Sequence, residues 1–277
     1  MLNRKSVLIN GRPISYLEAN PGKSRSLLYV HGISMNAALF ERVMQDPAMA
    51  DFHAVAFDLP GHGENIHSKN PEEDYTLGAL EILLSNIVAA LNLSHLTIIG
   101  HSMGGHVAIH VLRALRAETE GIILVGTPPL SSLKDAALAF LPIPEMQLVY
   151  LPYPDSSQRL QLAKVFGNDK HLEEIQAAMI KSDPAFRKVF VNVFSSDNFP
   201  DEVGILNSFP GNIMIFHGAE DKMINLDYIQ NLKIKNLFNG TATICPNGNH
   251  LSFLDNPHFF INSIRNFMLA ESLELSS

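Results

Sequence analysis

Short apolar runs alternate with longer stretches of helical periodicity, and this rhythm constrains the chain's fold more than any other feature. The runs predict strands over Ser6 to Ile9, Ile14 to Glu18, Leu27 to Val30, Ala54 to Phe57, Leu96 to Ile99, Gly121 to Val125, Ile213 to Phe216 and Thr241 to Cys245. Several of them, such as Leu27-Leu28-Tyr29-Val30 and Thr97-Ile98-Ile99, are apolar without alternation. Strands covered by helices on both faces read that way, whereas a half-exposed strand alternates. Helical patterns fill the gaps at Ala37 to Met44, Leu77 to Leu91, Met103 to Leu115, Asp227 to Ile234 and His258 to Met268. Strand and helix in alternation predict an α/β fold with a mostly parallel sheet. The first two runs, split by Asn10-Gly11-Arg12-Pro13, predict an antiparallel hairpin at the sheet edge.

The rhythm breaks between about Pro128 and Asn207. Prolines crowd this stretch at 128, 129, 142, 144, 152 and 154. Helical patterns follow near Ser157 to Val165, Leu172 to Ile180 and Ala185 to Val193, with no strong strand signal. The stretch reads as a helical insertion between two strands of one sheet, able to cover whatever the strand ends present.

Composition excludes several classes of function. A chain of 277 residues that is 46% hydrophobic can bury a sizeable core and is not a disordered polypeptide. A net charge of −8 with no basic run argues against nucleic acid or an anionic membrane as partner. The most apolar helical stretch, Leu77 to Leu93, is interrupted by Glu81, Ser85 and Asn86, so no membrane span is expected. No signal peptide is read at the N-terminus, and the single cysteine, Cys245, forbids an internal disulfide. A cytoplasmic location is expected. The oligomeric state is not readable.

The sharpest local signal is Gly100-His101-Ser102-Met103-Gly104-Gly105, between a predicted strand and a predicted helix. A G-x-S-x-G run at such a junction forms a nucleophile elbow. Small residues allow a sharp turn that holds the serine strained and exposed at a helix N-terminus. A serine hydroxyl needs a base, normally a histidine oriented by a carboxylate. For this elbow the acid and then the histidine follow the serine in the chain. The loop His217-Gly218-Ala219-Glu220-Asp221 offers two carboxylates just past a strand, of which Asp221 is favoured over Glu220. The next strand leads to Asn249-His250, and His258 is the other histidine past the acid. Catalytic roles are therefore expected for Ser102, Asp221 and His250.

An oxyanion hole is expected from the N–H groups of Met103 and of Ile33, in the loop His31-Gly32-Ile33-Ser34 after an early strand. Ser34 is a possible hydroxyl supplement, and His31 is expected to brace the loop. His31, Gly32 and Ser34 are all expected beside the substrate. The turn Asp58-Leu59-Pro60-Gly61-His62-Gly63 reads as structural support. The insertion is rich in large apolar side chains, among them Leu138, Leu141, Tyr153, Met179 and Phe194. Its Phe140, Tyr150, Phe166 and Phe190 are expected to contact the substrate, favouring acyl or aromatic groups over highly charged ones. His106 and His110 lie four apart on a helix but lack a nearby third ligand, so they read as ordinary helix residues and no metal is expected.

Taken together, Tyr29-Val30-His31-Gly32, Asp58 to Gly63, the elbow, the Gly218 to Asp221 turn and Asn249-His250 resemble the α/β-hydrolase fold superfamily. The resemblance implies a mostly parallel eight-stranded sheet with helices on both faces and a helical cap inserted after the sixth strand. It assigns residues 1–128 and 208–277 to the core and 129–207 to the cap, or lid. It also implies a serine hydrolase without cofactor, acting on a small-molecule ester or lactone. Relatives that dehalogenate or open epoxides carry Asp at the elbow, which Ser102 disfavours. A narrower similarity rests on Gly126-Thr127-Pro128-Pro129, Leu226-Asp227-Tyr228 and Asn236 to Gly240. It points to metal-free N-acyl-homoserine lactonases of this fold, which open quorum-sensing lactones. The zinc-dependent alternative needs an H-x-H-x-D-H run that is absent. Thioester hydrolysis, C–C bond hydrolysis and a hydrolase-fold ligand receptor remain open alternatives.

Overall fold

The computed structural model describes residues 1–193 and 199–274. All eight expected strands form: β1 (Asn3–Ile9), β2 (Arg12–Ala19), β3 (Ser26–Val30), β4 (His53–Phe57), β5 (Leu96–His101), β6 (Thr119–Val125), β7 (Asn212–Gly218) and β8 (Thr243–Cys245). They make one sheet in the order β1-β2-β4-β3-β5-β6-β7-β8. The hairpin β1–β2 occupies one edge, β2 joins β4 antiparallel, and every later pairing is parallel. Every residue of β3 and of β4 is buried. That explains why those runs show no polar alternation.

Helices close both faces. Leu77–Ala90 packs on Met103–Val111, while Glu41–Gln45 packs on Pro257–Glu274 across the opposite face. Among the described residues no helix is long and apolar enough to cross a membrane. The helix expected over Met103 to Leu115 stops at Val111, where a run of turns leads into β6. Because the strands from β3 onward run parallel, their C-terminal ends open on one side of the sheet. The strand order reverses between β3 and β5, and such switch points leave a crevice between diverging loops.

Between β6 and β7 the chain leaves the sheet and builds helices, including Met146–Val149, Ser156–Phe166, Leu172–Ile180, Pro184–Val193 and Glu202–Ser208. Asp155 and Gln158 form a reciprocal capping box that starts one of them. The inserted helices dock onto the loops at the sheet's C-terminal edge. Asp183 N–H donates to Gly61 O (2.6 Å), Leu251 N–H to Phe166 O (2.8 Å), and Leu141 N–H to Met223 O (2.8 Å).

Candidate active site

β5 delivers Ser102 to the mouth of the crevice. Its backbone takes φ 51°, ψ −121°, a conformation that side-chain-bearing residues adopt only under constraint. The constraints are local: Ser102 N–H donates to Val125 O (2.9 Å), and the Thr127 hydroxyl donates to Ser102 O (2.9 Å). The helix that follows presses against the end of β3. A Cβ on Gly104 would lie 2.3 Å from Val30 O, so only glycine fits there.

β7 and β8 deliver the acid and the histidine. Asp221 Oδ1 accepts the N–H groups of Met223 (2.8 Å) and Ile224 (3.1 Å), while Oδ2 faces His250 Nδ1 at 2.8 Å. Both side chains are buried. Burial alone would push the Asp221 carboxyl up, but the facing His250, through charge and hydrogen bond, outweighs it and holds the carboxyl below its ordinary value. Glu220, the other carboxylate of this turn, is exposed. The geometry thus brings Asp221 to His250, and His258 opens the last helix elsewhere.

The loop after β3 brings Ile33 to the cleft beside Ser102 and Met103. Among the described residues nothing in the chain accepts the N–H of Ile33 or of Met103. The other expected contacts of this loop are corrected, because His31, Gly32 and Ser34 do not line the cleft. Both nitrogens of the His31 ring are occupied: Nδ1 donates to Gly32 O (2.8 Å), and Nε2 accepts from Leu59 N–H (2.9 Å). That pattern requires a neutral ring, and burial lowers its pKa accordingly. Gly32 backs onto His101 and Ser102. Ser34 has φ 60°; its N–H donates to His62 Nε2 (3.1 Å), and its Oγ accepts from Arg187 Nε (2.7 Å). Asp58 supports the neighbouring turn by accepting the N–H groups of Ala37 (2.9 Å) and Glu64 (3.1 Å).

The cleft spans about 850 Å³ of empty space, part of it open to solvent. Phe140, Tyr150, Phe166 and Phe190 reach it from the inserted helices, joined by Ala136, Met146 and Val149. Leu138 and Tyr153 instead face solvent, and Met179 packs into the core. Phe194 lies outside the described residues. With these walls, the cleft can take an apolar chain and present one polar bond to Ser102.

Two features escaped the sequence reading. His106 and His110 do have a third partner, Glu202, from the last inserted helix. His106 Nδ1 lies 2.8 Å from Glu202 Oε1, and His110 Nε2 lies 3.1 Å from the same oxygen. Leu130 N–H donates to Oε2 (3.0 Å). Among the described residues, no group of His, Cys, Asp and Glu is arranged to hold a metal ion. The second feature is the buried Arg187. An H-x-x-x-H spacing hints at the first; nothing local signals the second. The Cys245 thiol is buried and pushed up to about 12 by that burial, so it is no nucleophile.

Residues 27–263 match the profile of the alpha/beta hydrolase family. An uncharacterized protein of Mycobacterium tuberculosis is 29% identical over 146 residues, covering 51% of this chain and 41% of that protein. The chain thus spans less than half the length of that relative. The AB hydrolase superfamily protein YisY of Bacillus subtilis is 26% identical over 230 residues, 76% of this chain and 80% of that protein. Among solved structures, a mutant of the N-acyl homoserine lactonase AidH complexed with N-hexanoyl homoserine lactone matches with a TM-score of 0.91 at 21% identity. The match covers 98% of this chain and 99% of AidH. A putative lipase from Acinetobacter baumannii matches with a TM-score of 0.82 at 24% identity, over 99% and 93% of the two chains. Likeness at these identities is likeness of fold.

Proposed function

The chain belongs to the alpha/beta hydrolase family, and from that premise we propose that it is a serine hydrolase cleaving a carboxylic ester or lactone through an acyl-enzyme. One observation carries the reading: His250, backed by the buried Asp221, and the strained Ser102 line one apolar cleft. His250 donates its Nδ1 proton to Asp221, which leaves Nε2 as the base. It takes the Ser102 proton as Oγ attacks the carbonyl carbon. The N–H groups of Ile33 and Met103 receive the oxyanion. His250 then returns the proton to the leaving alkoxide. Water, deprotonated by the same ring, splits the acyl-enzyme and frees Ser102.

For a lactone the leaving alcohol stays tethered to the acyl group, so one ring opens and a single hydroxy acid departs. The apolar cleft favours acyl chains, and the fold likeness to AidH supports N-acyl homoserine lactones as the finer substrate class. Residues 129–207 act in this reading as the lid that selects the acyl chain.

The test compares wild type and Ser102→Ala on p-nitrophenyl hexanoate and N-hexanoyl homoserine lactone. Ser102→Ala should lose several decades of rate, on the order of 10⁴-fold or more. Wild-type ester hydrolysis by Ser102→Ala would overturn the serine mechanism. Cleavage of the ester with no opening of the lactone would overturn the finer substrate class alone.

A further inference from the structure

Arg187 sits in the inserted helix Pro184–Val193, with 3% of its surface exposed. Among the described residues no carboxylate pairs with it, and burial alone draws its pKa down to about 10. A buried guanidinium without a counter-ion is costly and persists only where its hydrogen bonds are well used. Its partners are neutral oxygens. Nε donates to Ser34 Oγ (2.7 Å), and Nη1 donates to Leu148 O (3.3 Å) and Leu151 O (3.2 Å). One cation therefore bridges the loop after β3 and the Leu148–Leu151 turn of the insertion.

Ser34 directly follows Ile33, and it is gripped at both ends. Its N–H goes to His62 and its Oγ to Arg187, while Met35 N–H closes the turn onto Gly32 O (3.2 Å). The His62 ring rests in turn on Phe186, the residue before Arg187, with ring centroids 4.4 Å apart. At the start of the same helix, Asp183 accepts the Tyr75 hydroxyl (2.6 Å). Phe190, one turn beyond Arg187, lines the cleft, whereas Arg187 does not.

We propose that Arg187 is a positioning residue. By holding Ser34 it fixes the Gly32–Met35 turn so that the Ile33 N–H points at the oxyanion, and it makes the hole depend on the seating of helix Pro184–Val193. The proposal rests on Ile33 being an oxyanion donor. A group acting this way stabilises the transition state and leaves ground-state binding alone, so its removal lowers kcat and spares KM.

The test measures kcat and KM on p-nitrophenyl hexanoate for wild type, Arg187→Met, Arg187→Lys, Ser34→Ala and the Ser34→Ala/Arg187→Met double variant. It adds the affinity of a hexyl trifluoromethyl ketone, whose adduct with serine places an oxyanion in the hole, and of the matching methyl ketone. Arg187→Met should lose about 10- to 100-fold in kcat, with KM within about twofold, since small misplacements near a reacting centre cost that much. Trifluoromethyl ketone affinity should fall by the same factor while methyl ketone affinity holds. Arg187→Lys should recover part of the loss. The double variant should be no worse than the poorer single one, because both break one contact.

Arg187→Met with wild-type kcat and inhibitor affinity would overturn the proposal. So would a rise in KM and in the methyl ketone constant at unchanged kcat, or losses that multiply in the double variant. Should Arg187→Met fail to fold, Arg187→Lys and Ser34→Ala decide, and wild-type behaviour in both overturns it. The serine mechanism stands or falls separately, on Ser102→Ala and on whether the trifluoromethyl ketone inhibits wild type at all.

Discussion

The loops at the sheet's C-terminal edge and the inserted helices above them meet at one cleft but are built differently. At the sheet edge, backbone packs on backbone: a Cβ on Gly104 would meet Val30 O at 2.3 Å, and the Ser102 N–H is held by the Val125 carbonyl. In the insertion, side chain packs on side chain. A Cβ on Gly167 would meet the Ile175 Cδ1 methyl at 2.8 Å, with the Asp255 and Leu251 side chains at 4.0 Å. Backbone atoms have nowhere to go, whereas a methyl at the end of a flexible side chain does. In the proposed mechanism the reacting atoms are thus set by the rigid side of the cleft, and the substrate's surroundings by the adaptable side.

The contrast breaks first, and hardest, at the acid. Asp221→Asn should lower kcat by about 10⁴-fold, since the amide favours the wrong tautomer of His250. Glu220→Gln should leave it within about twofold. A loss in Glu220→Gln instead would overturn the assignment of the acid, and steady-state kinetics on one ester decides. Packing comes next. Gly104→Ala should cost about 3 kcal/mol of stability and Gly167→Ala less than about 1 kcal/mol, read from urea midpoints. Equal costs would erase the distinction between the two regions. A smaller effect is expected on the adaptable side. Phe140→Ala should raise KM for a p-nitrophenyl octanoate about tenfold while kcat on the acetate stays within about twofold.

The smallest effect is on the pH dependence of stability. Burial lowers the pKa of His31, His62, His101 and His217 in the folded protein. Below about pH 6.5 the unfolded chain therefore binds protons that the folded chain refuses, so stability falls as pH drops and levels off above about pH 7. His110 acts in the opposite sense. Burial opposes its charge, but the hydrogen-bonded Glu202 carboxylate and the Glu81 carboxylate 3.5 Å away prevail and raise its pKa. Its contribution is present below the ordinary histidine value and fades as pH rises through the raised one. Glu202→Gln should therefore steepen the decline between pH 7 and pH 5, measured as the urea midpoint across that range. A shallower decline would reverse the sign assigned to His110.

Much of the rigid side is legible in the sequence, because its determinants are local. Apolar runs without alternation mark β3 and β4, and the glycines around Ser102 mark the elbow before any fold is known. The order of Ser102, Asp221 and His250 follows from the order of strands. The adaptable side is legible only in composition. That Phe140 and Tyr150 turn inward while Leu138 and Tyr153 turn outward depends on how short helices roll against the core, which no local spacing encodes. The Glu202 contacts with His106 and His110 join residues 96 and 92 apart in the chain, and the Arg187–Ser34 contact spans 153. Such pairs exist only after folding. For the same reason, His31 and Ser34 looked available to a substrate, although His62, Leu59 and Arg187 already occupy them.

The parallel pairing of β6 with β7, from Gly121↔Asn212 to Val125↔Phe216, closes across the whole insertion. Ile33, Ser102 and Met103 precede the insertion, Arg187 lies within it, and Asp221 and His250 follow β7. A cut in the exposed stretch near Tyr153 would give two halves, each holding an incomplete set of the proposed reacting groups and an open strand edge. Neither half should turn over an ester. Rejoining along β6 and β7 should restore turnover, so hydrolysis would report on whether two pieces of chain have found each other.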